Sequence, residues 1–352
     1  MALENQAHRV IAGKTILLTG AGGFIGSALA ESMVQLKPGH LILLDHSERN
    51  LNEIDLKLAA RSAGDLYTSV LGDIRDAKLV SEVLERYRPH VVYHAAAFKH
   101  VPLMETNPFA AVANNALGTY SLAKLVCASG VANLVMISTD KAVDPIGIMG
   151  ASKRVAELAL LNLDNSRTRM SAIRLGNVWG SQGSVVPMFL SQISQGGPVT
   201  VTHPEVSRYF IKIAEAVELI FLASAFEGVG GIFIPQLGAP MKIVDVAQHL
   251  ISQDQLISDK AIPVTFTGLR AGDKMSEVFI SEDEAAEPTI DRRLLRVTNK
   301  KISDDRLHLD LDKLSNSVQQ RDLISLIETL CKIVPTYRPT RLLRSATVHA
   351  SA

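Results

Sequence analysis

The chain has 352 residues, of which 47% are hydrophobic and 20% are charged. It is long enough for one large or two modest folded domains and too apolar for a disordered protein. The 36 basic residues balance the 36 acidic ones, which excludes an overall charge that would attract nucleic acid or an anionic membrane. No secretion signal core and no apolar run approaching the roughly 18 residues of a membrane span are found. We therefore expect a cytoplasmic protein without a membrane span.

The first half of the chain alternates short β-branched runs with helical patterns. Strands are predicted at 15–19, 41–45, 67–71, 91–95, 134–138 and 171–175. Helices are predicted between them at 25–36, 50–60, 78–87, 109–129 and 150–163. Near-continuous apolar strands separated by helices indicate a parallel sheet covered on both faces. The pattern predicts an α/β class protein with a doubly wound, Rossmann-type sheet.

A glycine-rich turn follows the first predicted strand and opens the first helix. It reads Gly20-Ala21-Gly22-Gly23-Phe24-Ile25-Gly26. With a strand before it, a helix after it and an acid roughly twenty residues further on, this is the fingerprint of a dinucleotide site. The glycines allow a tight turn, a close backbone approach to pyrophosphate and close helix packing, while the helix N-terminus supplies amides. We predict that this turn binds the cofactor.

The ends of the next strands supply the other predicted cofactor contacts. Asp45 ends the second strand, where a carboxylate would accept ribose hydroxyls and repel a 2′-phosphate, which favours NAD over NADP. Arg49 could soften that preference. Asp73 follows the third strand and is expected at the adenine edge, with a helix N-cap as its alternative role. The remaining predicted contacts of the cofactor are Ser47, Ile74, Ala95 and Ala97.

A hydroxyl, a carboxylate and an amine follow the fifth predicted strand in consecutive positions, Thr139, Asp140 and Lys141. Ligands of open α/β sheets bind at this carboxyl end of the strands. Lys153, on the next helix, could bond a nicotinamide ribose and activate nearby hydroxyls. Each residue alone could be a helix cap or a surface ion pair, but the set is typical of a reacting centre. We predict that these four residues are catalytic.

After residue 177 the pattern changes to loops, short strands and isolated helices, the helices being predicted at 213–225, 243–252 and 321–333. We expect an NAD-binding Rossmann domain over 12–177. A smaller substrate-binding region is expected over 178–334, with some segments returning to the Rossmann sheet. Residues 335–352 are short of core residues, and we expect a frayed tail there, or an arm that contacts another subunit.

Eight sequence segments together resemble the polysaccharide-biosynthesis branch of the extended short-chain dehydrogenases. This branch contains the UDP-N-acetylglucosamine 4,6-dehydratases, and the resemblance covers roughly residues 12–285. Met149 stands where the general short-chain pattern has a tyrosine acid/base. Besides the glycine-rich turn, the matching segments lie at 72–76, 94–105, 138–143, 149–154, 174–187, 207–210 and 268–277.

The resemblance implies an NAD-dependent lyase that acts on a nucleotide sugar by a redox-neutral elimination. A hydride leaves C4 of the sugar for NAD, Lys141 removes the C5 proton, Asp140 protonates the departing C6 hydroxyl, and the hydride returns to C6. Because Met149 cannot transfer a proton, Thr139 would orient the C4 hydroxyl while Asp140 or Lys141 receives its proton. The product would be a UDP-4-keto-6-deoxy sugar.

The same matching assigns contacts with a UDP-sugar. Lys99 would contact substrate, Met149 would pack against the nicotinamide or the substrate, and Asn177 would lie beside the nicotinamide. Arg208 and Arg270 are candidates for the diphosphate, because guanidinium groups match phosphate oxygens. Glu277 could accept hydrogen bonds from the uridine ribose. An ion pair with Asp273 or Glu277 is the alternative for Arg270.

Two other functions remain open at this point. The first is a nucleotide-sugar 4-epimerase, or a dehydratase that epimerises C5, on the same scaffold. The second is a non-catalytic nucleotide-sugar-binding protein, which the missing tyrosine would fit. No metal site is expected, because the histidines and acids show no ligand spacing. The family resemblance implies a homo-oligomer.

Overall fold

A computed structural model of the protein describes residues 2–61, 63–163, 167–228, 230–255, 261–298 and 304–350. The strands in these ranges are β1 (Thr15–Thr19), β2 (His40–Asp45), β3 (Tyr67–Leu71), β4 (Val91–His94), β5 (Asn133–Thr139), β6 (Arg169–Leu175), β7 (Asn177–Val178), β8 (Val199–Val201), β9 (Ser207–Arg208), β10 (Phe210–Ile211), β11 (Gly231–Pro235), β12 (Met241–Lys242), β13 (Val264–Phe266), β14 (Ala285–Pro288) and β15 (Leu294–Thr298).

One large sheet organises the described chain, with the strand order β14-β15-β11-β6-β5-β4-β1-β2-β3. The neighbouring strands from β3 to β11 all pair in parallel. At the edge beyond β11, β15 pairs antiparallel with β11 and β14 pairs antiparallel with β15. The strands β2 and β3 are added on one side of β1, and the strands β4, β5 and β6 on the other side. Doubly wound folds bind their ligands at this switch in strand order, which lies between β1 and β4. The predicted fold class is confirmed, and the first six strands lie within two residues of their predicted bounds.

The helices of the described ranges cover both faces of the sheet and extend beyond it. They are α1 (Ala2–Ile11), α2 (Phe24–Gln35), α3 (Glu48–Ala59), α4 (Ala77–Tyr87), α5 (Val101–Glu105), α6 (Pro108–Ala111), α7 (Thr119–Ala128), α8 (Ile148–Leu161), α9 (Val185–Ser194), α10 (Ile213–Ala225), α11 (Ile243–Gln255), α12 (Asp304–Gln320), α13 (Leu323–Ile333) and α14 (Arg341–Ala350).

Side chains from the two faces of the sheet form two separate apolar cores. Alternate residues of one strand point to opposite faces, so Leu18 joins the core under α2, α3 and α10, whereas Leu17 joins the core under α4 and α7. The central strands are apolar on both faces for this reason. This packing fixes their carboxyl ends as a rigid edge for the site.

The predicted helix over 109–129 is interrupted by a π-helical segment, Val112–Gly118, between α6 and α7. Such segments widen a helix locally and are frequent at functional sites. Here the segment carries two consecutive buried amide side chains, Asn114 and Asn115. Helical periodicity alone gave no sign of the interruption.

The second half of the chain contributes to three places. The strands β11, β14 and β15 return to the large sheet, as expected for part of 178–334. The helices α9 and α11 pack with β8 into a small apolar cluster. The helices α12 and α13 pack against the π-helical segment and α8, and together they bury α8 almost completely.

The expectation of a frayed tail is wrong for residues 335–345. Tyr337 and Leu343 are buried in the cluster formed by α8, α12 and α13. The Arg338 amide donates to the Pro145 carbonyl at 2.9 Å. The segment therefore folds over the loop that leads into α8, because its few apolar residues fill that surface.

Candidate active site

The glycine-rich turn adopts the conformation that the sequence predicts. Gly20 has a φ of +69°, and a Cβ atom there would lie 2.5 Å from the Ala96 amide nitrogen. A Cβ on Gly26 would collide with the Gly20 carbonyl oxygen. Only glycine permits this turn to lie directly against the end of β4. The α2 helix begins at Phe24 and directs its first amides towards the edge of the sheet.

Asp45 lies at the end of β2 and holds the glycine-rich turn. One carboxylate oxygen accepts from the Gly22 amide and the other from the Ser47 amide, both at 2.9 Å. Each carboxylate oxygen can accept a further hydrogen bond, so the predicted ribose contact stays possible. The Arg49 side chain is 86% exposed and pairs with Glu53 at 3.0 Å. It points into solvent, which weakens the argument for a 2′-phosphate.

The residues after β3 make local contacts. Asp73 forms an ion pair with Arg75 at 2.5 Å, and its pKa is lowered chiefly by the Arg75 hydrogen bond. Ile74 is buried in the core under α4 and α7. The N-cap of α4 is Asp76 and not Asp73, since Asp76 accepts from the Leu79 amide. The proposed adenine contact of Asp73 stays a prediction.

A buried hydrogen-bond network supports the loop after β4, which contains Ala95 and Ala97. Asn115 receives a hydrogen bond from the Phe98 amide at 2.8 Å and donates to the Phe98 carbonyl at 3.0 Å and to Ser152 at 3.1 Å. His94 lies between the hydroxyls of Thr19 and Thr119, at 2.7 and 2.9 Å. Burial, aided by the nearby Lys153, lowers the pKa of His94 to about 3, so the ring is neutral.

Asn115 and His94 were not predicted from the sequence as residues that support the loop after β4. The signal available was the pair of amides at 114 and 115 in an otherwise apolar helix. Buried polar groups need partners, so such a pair indicates a polar contact across helices. Its partners could not be named without the fold.

The residues Thr139, Asp140 and Lys141 form one hydrogen-bonded group with Asn177. The Thr139 hydroxyl donates to Asp140 Oδ1 at 3.0 Å, and Lys141 Nζ donates to the same oxygen at 2.9 Å. Lys141 Nζ also donates to Asn177 Oδ1 at 3.0 Å. Asp140 is fully buried, and its Oδ2 has no hydrogen-bond partner among the described residues. The sequence predicted all four residues at the site, and the fold brings them together.

Lys153 lies one turn into α8 and is buried against the end of β5. Its amine donates to the Ile137 carbonyl at 2.8 Å. Burial lowers the pKa of Lys153 to about 8, although Glu157 opposes the shift. The amine therefore exchanges its proton close to physiological pH.

Met149 is buried in the cluster beneath α12 and α13. Glu105 fixes the start of the same helix, since its Oε1 accepts from the Ile148 amide at 2.5 Å and its Oε2 accepts from the Thr340 hydroxyl at 2.7 Å. Glu105 is a third residue that the sequence did not identify. It joins α5, α8 and the C-terminal segment behind the site.

Glu277 reaches the site from the second half of the chain. Its carboxylate is buried, and Oε1 lies 3.9 Å from Lys141 Nζ and 3.9 Å from Arg208 Nε. Lys274 Nζ is 3.3 Å from Oε2, a distance at which charges attract but the angle gives no hydrogen bond. Lys141, Lys274 and Glu277 line the same small cavity, beside Gly147 and Gly150.

The Arg208 guanidinium is largely occupied by backbone oxygens. It donates to the carbonyls of Ser207 at 2.7 Å, Met275 at 3.2 Å and Lys274 at 2.8 Å. These contacts fasten the loop that carries Glu277 to β9. The predicted diphosphate contact would need some of these donors to change partner.

Two other predicted substrate contacts are found at the rim. Arg270 is 58% exposed and pairs with Asp273 at 2.8 Å, which is the alternative that its spacing suggested. Lys99 donates to the Gln182 carbonyl at 2.9 Å, and burial lowers the pKa of Lys99. Neither residue contacts the Thr139–Asp140–Lys141 group in this structure. Their substrate roles stay predictions.

A buried ion-pair network lies directly behind the site. Arg174 pairs with Glu157 at 2.8 Å and with Glu284 at 2.7 Å, and Arg154 pairs with both acids. Ser138 donates to Glu157 at 2.6 Å. Burial acts to raise the pKa of Glu157, but Arg174, Arg154 and Ser138 outweigh it and lower the pKa to about 2. The network joins α8 and β6 to the segment that follows Glu277.

Comparison with known proteins identifies the family. The family model described as polysaccharide biosynthesis protein matches residues 16–299. The chain belongs to this family. The resemblance that the sequence motifs indicated is thereby confirmed, and it covers the whole Rossmann sheet and most of the second half.

Two relatives are similar to this chain in sequence, and one solved structure is similar to it in fold. The probable polysaccharide biosynthesis protein EpsC of Bacillus subtilis is 45% identical over 276 residues, which is 78% of this chain and 46% of EpsC. A Campylobacter jejuni UDP-N-acetylglucosamine 4,6-dehydratase (inverting) is 34% identical over 281 residues, 78% of this chain and 79% of that protein. The crystal structure of a Thermus thermophilus UDP-glucose 4-epimerase complex with NAD superposes with a TM-score of 0.62 and 23% identity, covering 75% and 89% of the two chains.

The chain spans about half the length of the first curated relatives that it matches. No helix in the described ranges combines the length and apolar surface that crossing a bilayer requires. Across those same ranges, no cluster of three or more histidine, cysteine or acidic side chains could hold a metal ion.

Proposed function

We propose that this member of the polysaccharide biosynthesis family is an NAD-dependent nucleotide-sugar 4,6-dehydratase that acts on UDP-N-acetylglucosamine. The observation that carries the proposal is the hydrogen bonding of Asp140 and Lys141. A neutral amine has two N–H donors and one lone pair. In its neutral form Lys141 would keep its two donors on Asp140 and Asn177, which would leave the lone pair to accept a proton.

Asp140 is suited to the complementary role. Its Oδ1 accepts from Thr139 and Lys141, while the buried Oδ2 has no partner among the described residues. A proton on Oδ2 would be available to a substrate oxygen. An acid and a base 2.9 Å apart match an elimination in which one carbon loses a proton while its neighbour loses a hydroxyl.

The residues around the glycine-rich turn fit NAD. Gly20 and Gly26 keep the turn tight, because a Cβ atom on either would collide with neighbouring backbone, and Asp45 fixes the turn. When bound, NAD would supply the reversible hydride acceptor that a redox-neutral elimination requires. The turn, the start of α2 and Asp45 would hold the dinucleotide, and Lys153 would face the nicotinamide ribose. The complex of NAD with the Thermus epimerase supports this cofactor for the fold.

The chain's own groups would act in a fixed order on the sugar. Thr139 orients the C4 hydroxyl as C4 is oxidised. Lys141 then takes the C5 proton, and Asp140 gives its proton to the C6 hydroxyl, which leaves as water. A proton returns to C5 as C6 is reduced, so that the product is a 4-keto-6-deoxy sugar nucleotide. The Campylobacter dehydratase supports UDP-N-acetylglucosamine as the substrate.

The test is incubation of the protein with UDP-N-acetylglucosamine and NAD, followed by mass measurement of the sugar nucleotide. We expect the loss of one water without accumulation of NADH. The same reaction in deuterated water shows exchange at C5, and NMR of the product then shows whether C5 is retained or inverted. Lys141→Ala, with NAD affinity measured separately, should abolish the water loss while the cofactor still binds.

The epimerase is the second candidate, favoured by the structural similarity to the Thermus enzyme. A product of unchanged mass and altered C4 configuration would support it and would contradict dehydration. Simple 4-epimerisation needs no acid for a leaving hydroxyl, so Asp140→Asn would then keep its turnover. Absence of any product with both UDP-N-acetylglucosamine and UDP-glucose would instead support a non-catalytic nucleotide-sugar-binding protein.

A further inference from the structure

The proposed reaction releases two protons from the sugar, whereas the group at the end of β5 offers one base. One proton leaves the C4 hydroxyl during oxidation, and the second leaves C5. Lys141 has a single lone pair, and Met149 occupies the position where a tyrosine would serve as a second acid/base group. A second acceptor is therefore needed within reach of Lys141.

Glu277 is the carboxylate that the fold places there. Its Oε1 lies 3.9 Å from Lys141 Nζ, about 1 Å beyond a normal N–H···O hydrogen bond. A small rotation of the flexible lysine chain closes that gap. The residue is 4% exposed, and its Oε2 accepts no hydrogen bond from the described part of the chain. Oε1 is the oxygen that faces Lys141, whereas Oε2 lies 3.3 Å from Lys274, so a proton from Lys141 would go to Oε1.

We propose that Glu277 is the second proton acceptor of the site and acts through Lys141. This inference rests on the dehydration proposed above. The step needs Asp140 protonated, Lys141 neutral and Glu277 ionised before the sugar is oxidised. The C4 hydroxyl proton passes to Lys141 and on to Glu277, which leaves the Lys141 lone pair ready for the C5 proton.

The proton balance closes over one turnover. Lys141 takes the C5 proton while Asp140 protonates the departing hydroxyl, and Lys141 later returns a proton to C5. The proton held by Glu277 then passes back through Lys141 to Asp140 across the 2.9 Å contact. All three groups return to their starting states, and two protons released equal two protons consumed.

Two cations lie near Glu277, Lys274 at 3.3 Å and Arg208 at 3.9 Å. They favour the ionised carboxylate, so they oppose proton uptake by Glu277 and favour the return of the proton to Lys141. Glu277 would therefore hold the proton only during the oxidation at C4. Arg208 and Lys274 further hold the loop in place, through the Arg208 contacts to backbone carbonyls and through a hydrogen bond from Lys274 to the Val143 carbonyl at 2.5 Å.

The test compares Glu277→Gln, Glu277→Asp and Glu205→Gln. Glutamine keeps the shape of the side chain but cannot take the proton, aspartate keeps the carboxylate, and Glu205 is an exposed acid paired with Lys242 that serves as the matched control. Steady-state turnover of UDP-N-acetylglucosamine is measured together with UDP affinity by calorimetry. Thermal unfolding verifies that each variant is folded.

For Glu277→Gln we expect kcat to fall at least about a hundredfold, with KM and UDP affinity unchanged within about twofold. Glu277→Asp should recover part of the lost rate, and Glu205→Gln should match the wild type. A large loss of UDP affinity with kcat retained would overturn the inference, because it would place Glu277 on the uridine ribose. Equal rates for Glu277→Gln and the wild type would also overturn it.

The outcome is separable from that of the proposed function. If the wild type yields a product of unchanged mass, dehydration is contradicted and the need for a second acceptor goes with it, because epimerisation releases only the C4 hydroxyl proton. If the wild type and Glu277→Gln lose water from the sugar at equal rates, the proposed function stands and only the role of Glu277 is overturned. A wild type that converts neither UDP-N-acetylglucosamine nor UDP-glucose overturns both proposals. If Glu277→Gln fails to fold, Glu277→Asp decides, since equal loss of kcat and UDP affinity in that variant contradicts a proton-accepting role.

Discussion

The buried amine of Lys153 predicts a specific dependence of stability on pH, and Lys153→Met tests it. Methionine has a similar length and no charge. The substitution also removes the hydrogen bond to the Ile137 carbonyl, but that loss does not vary with pH. A comparison of the two proteins across pH therefore isolates the titration of the amine.

The magnitude follows from the pKa of Lys153, which burial lowers from 10.5 to about 8. Each tenfold change in proton affinity corresponds to about 1.4 kcal/mol, so the shift destabilises the folded protein by about 3 kcal/mol at any pH where the amine is protonated in both the folded and the unfolded chain. The cost is complete below pH 8. It is relieved between about pH 8 and 10.5, where the folded protein has lost the proton and the unfolded chain still holds it.

The free energy of unfolding is measured by urea denaturation at several pH values from 7 to 10.5. The wild-type value minus the Lys153→Met value should rise by about 3 kcal/mol across the upper part of this range. Other groups titrate equally in both proteins and cancel. His94, whose pKa Lys153 also influences, titrates far below the range. A difference that stays flat between pH 8 and 10.5 would refute a lowered pKa for Lys153.

Three further predictions concern catalysis and packing. Asp140→Asn and Lys141→Ala should each lower kcat at least about a hundredfold, whereas Met149→Ala should cost less than about tenfold; equal losses in a product assay would contradict this division of roles. Arg174→Met should lower the free energy of unfolding by about 3–5 kcal/mol, because the two buried acids lose one of the two arginines that they share, and unchanged urea denaturation would contradict it. Tyr337→Phe should raise the free energy of unfolding by about 1 kcal/mol, and with it the melting temperature, because the buried hydroxyl has no partner among the described residues. A lower melting temperature would show that this hydroxyl is satisfied.

The sequence predicted the half of the site that follows directly from strand order. Thr139, Asp140 and Lys141 end one strand, and the glycine-rich turn ends another. Parallel strands present their carboxyl ends at one edge, so residues found there converge whatever the details of packing. Asn177 was also predicted, from the family motif, and it contacts Lys141 at 3.0 Å.

The errors have a different physical origin. Composition predicted a frayed tail after residue 335, because few apolar residues remain there. Tyr337 and Leu343 nevertheless suffice, since they fill a surface that α8, α12 and α13 have already formed. A short segment needs only a small apolar area when the rest of the core is supplied by neighbours. The composition of a segment describes that segment alone and carries no information about the apolar surface that α8, α12 and α13 offer it.

Charge partners drawn from distant parts of the chain could not be predicted for a related reason. The fold buries Glu284 against Arg174 and brings Glu277 to 3.9 Å from Lys141, and neither contact could be predicted from the sequence. A buried acid is tolerated only when a cation meets it. That requirement is satisfied by segments that fold over the sheet from the second half of the chain. The strand ends therefore define where chemistry can occur, but the groups that exchange protons with Lys141 depend on how the second half returns to the sheet.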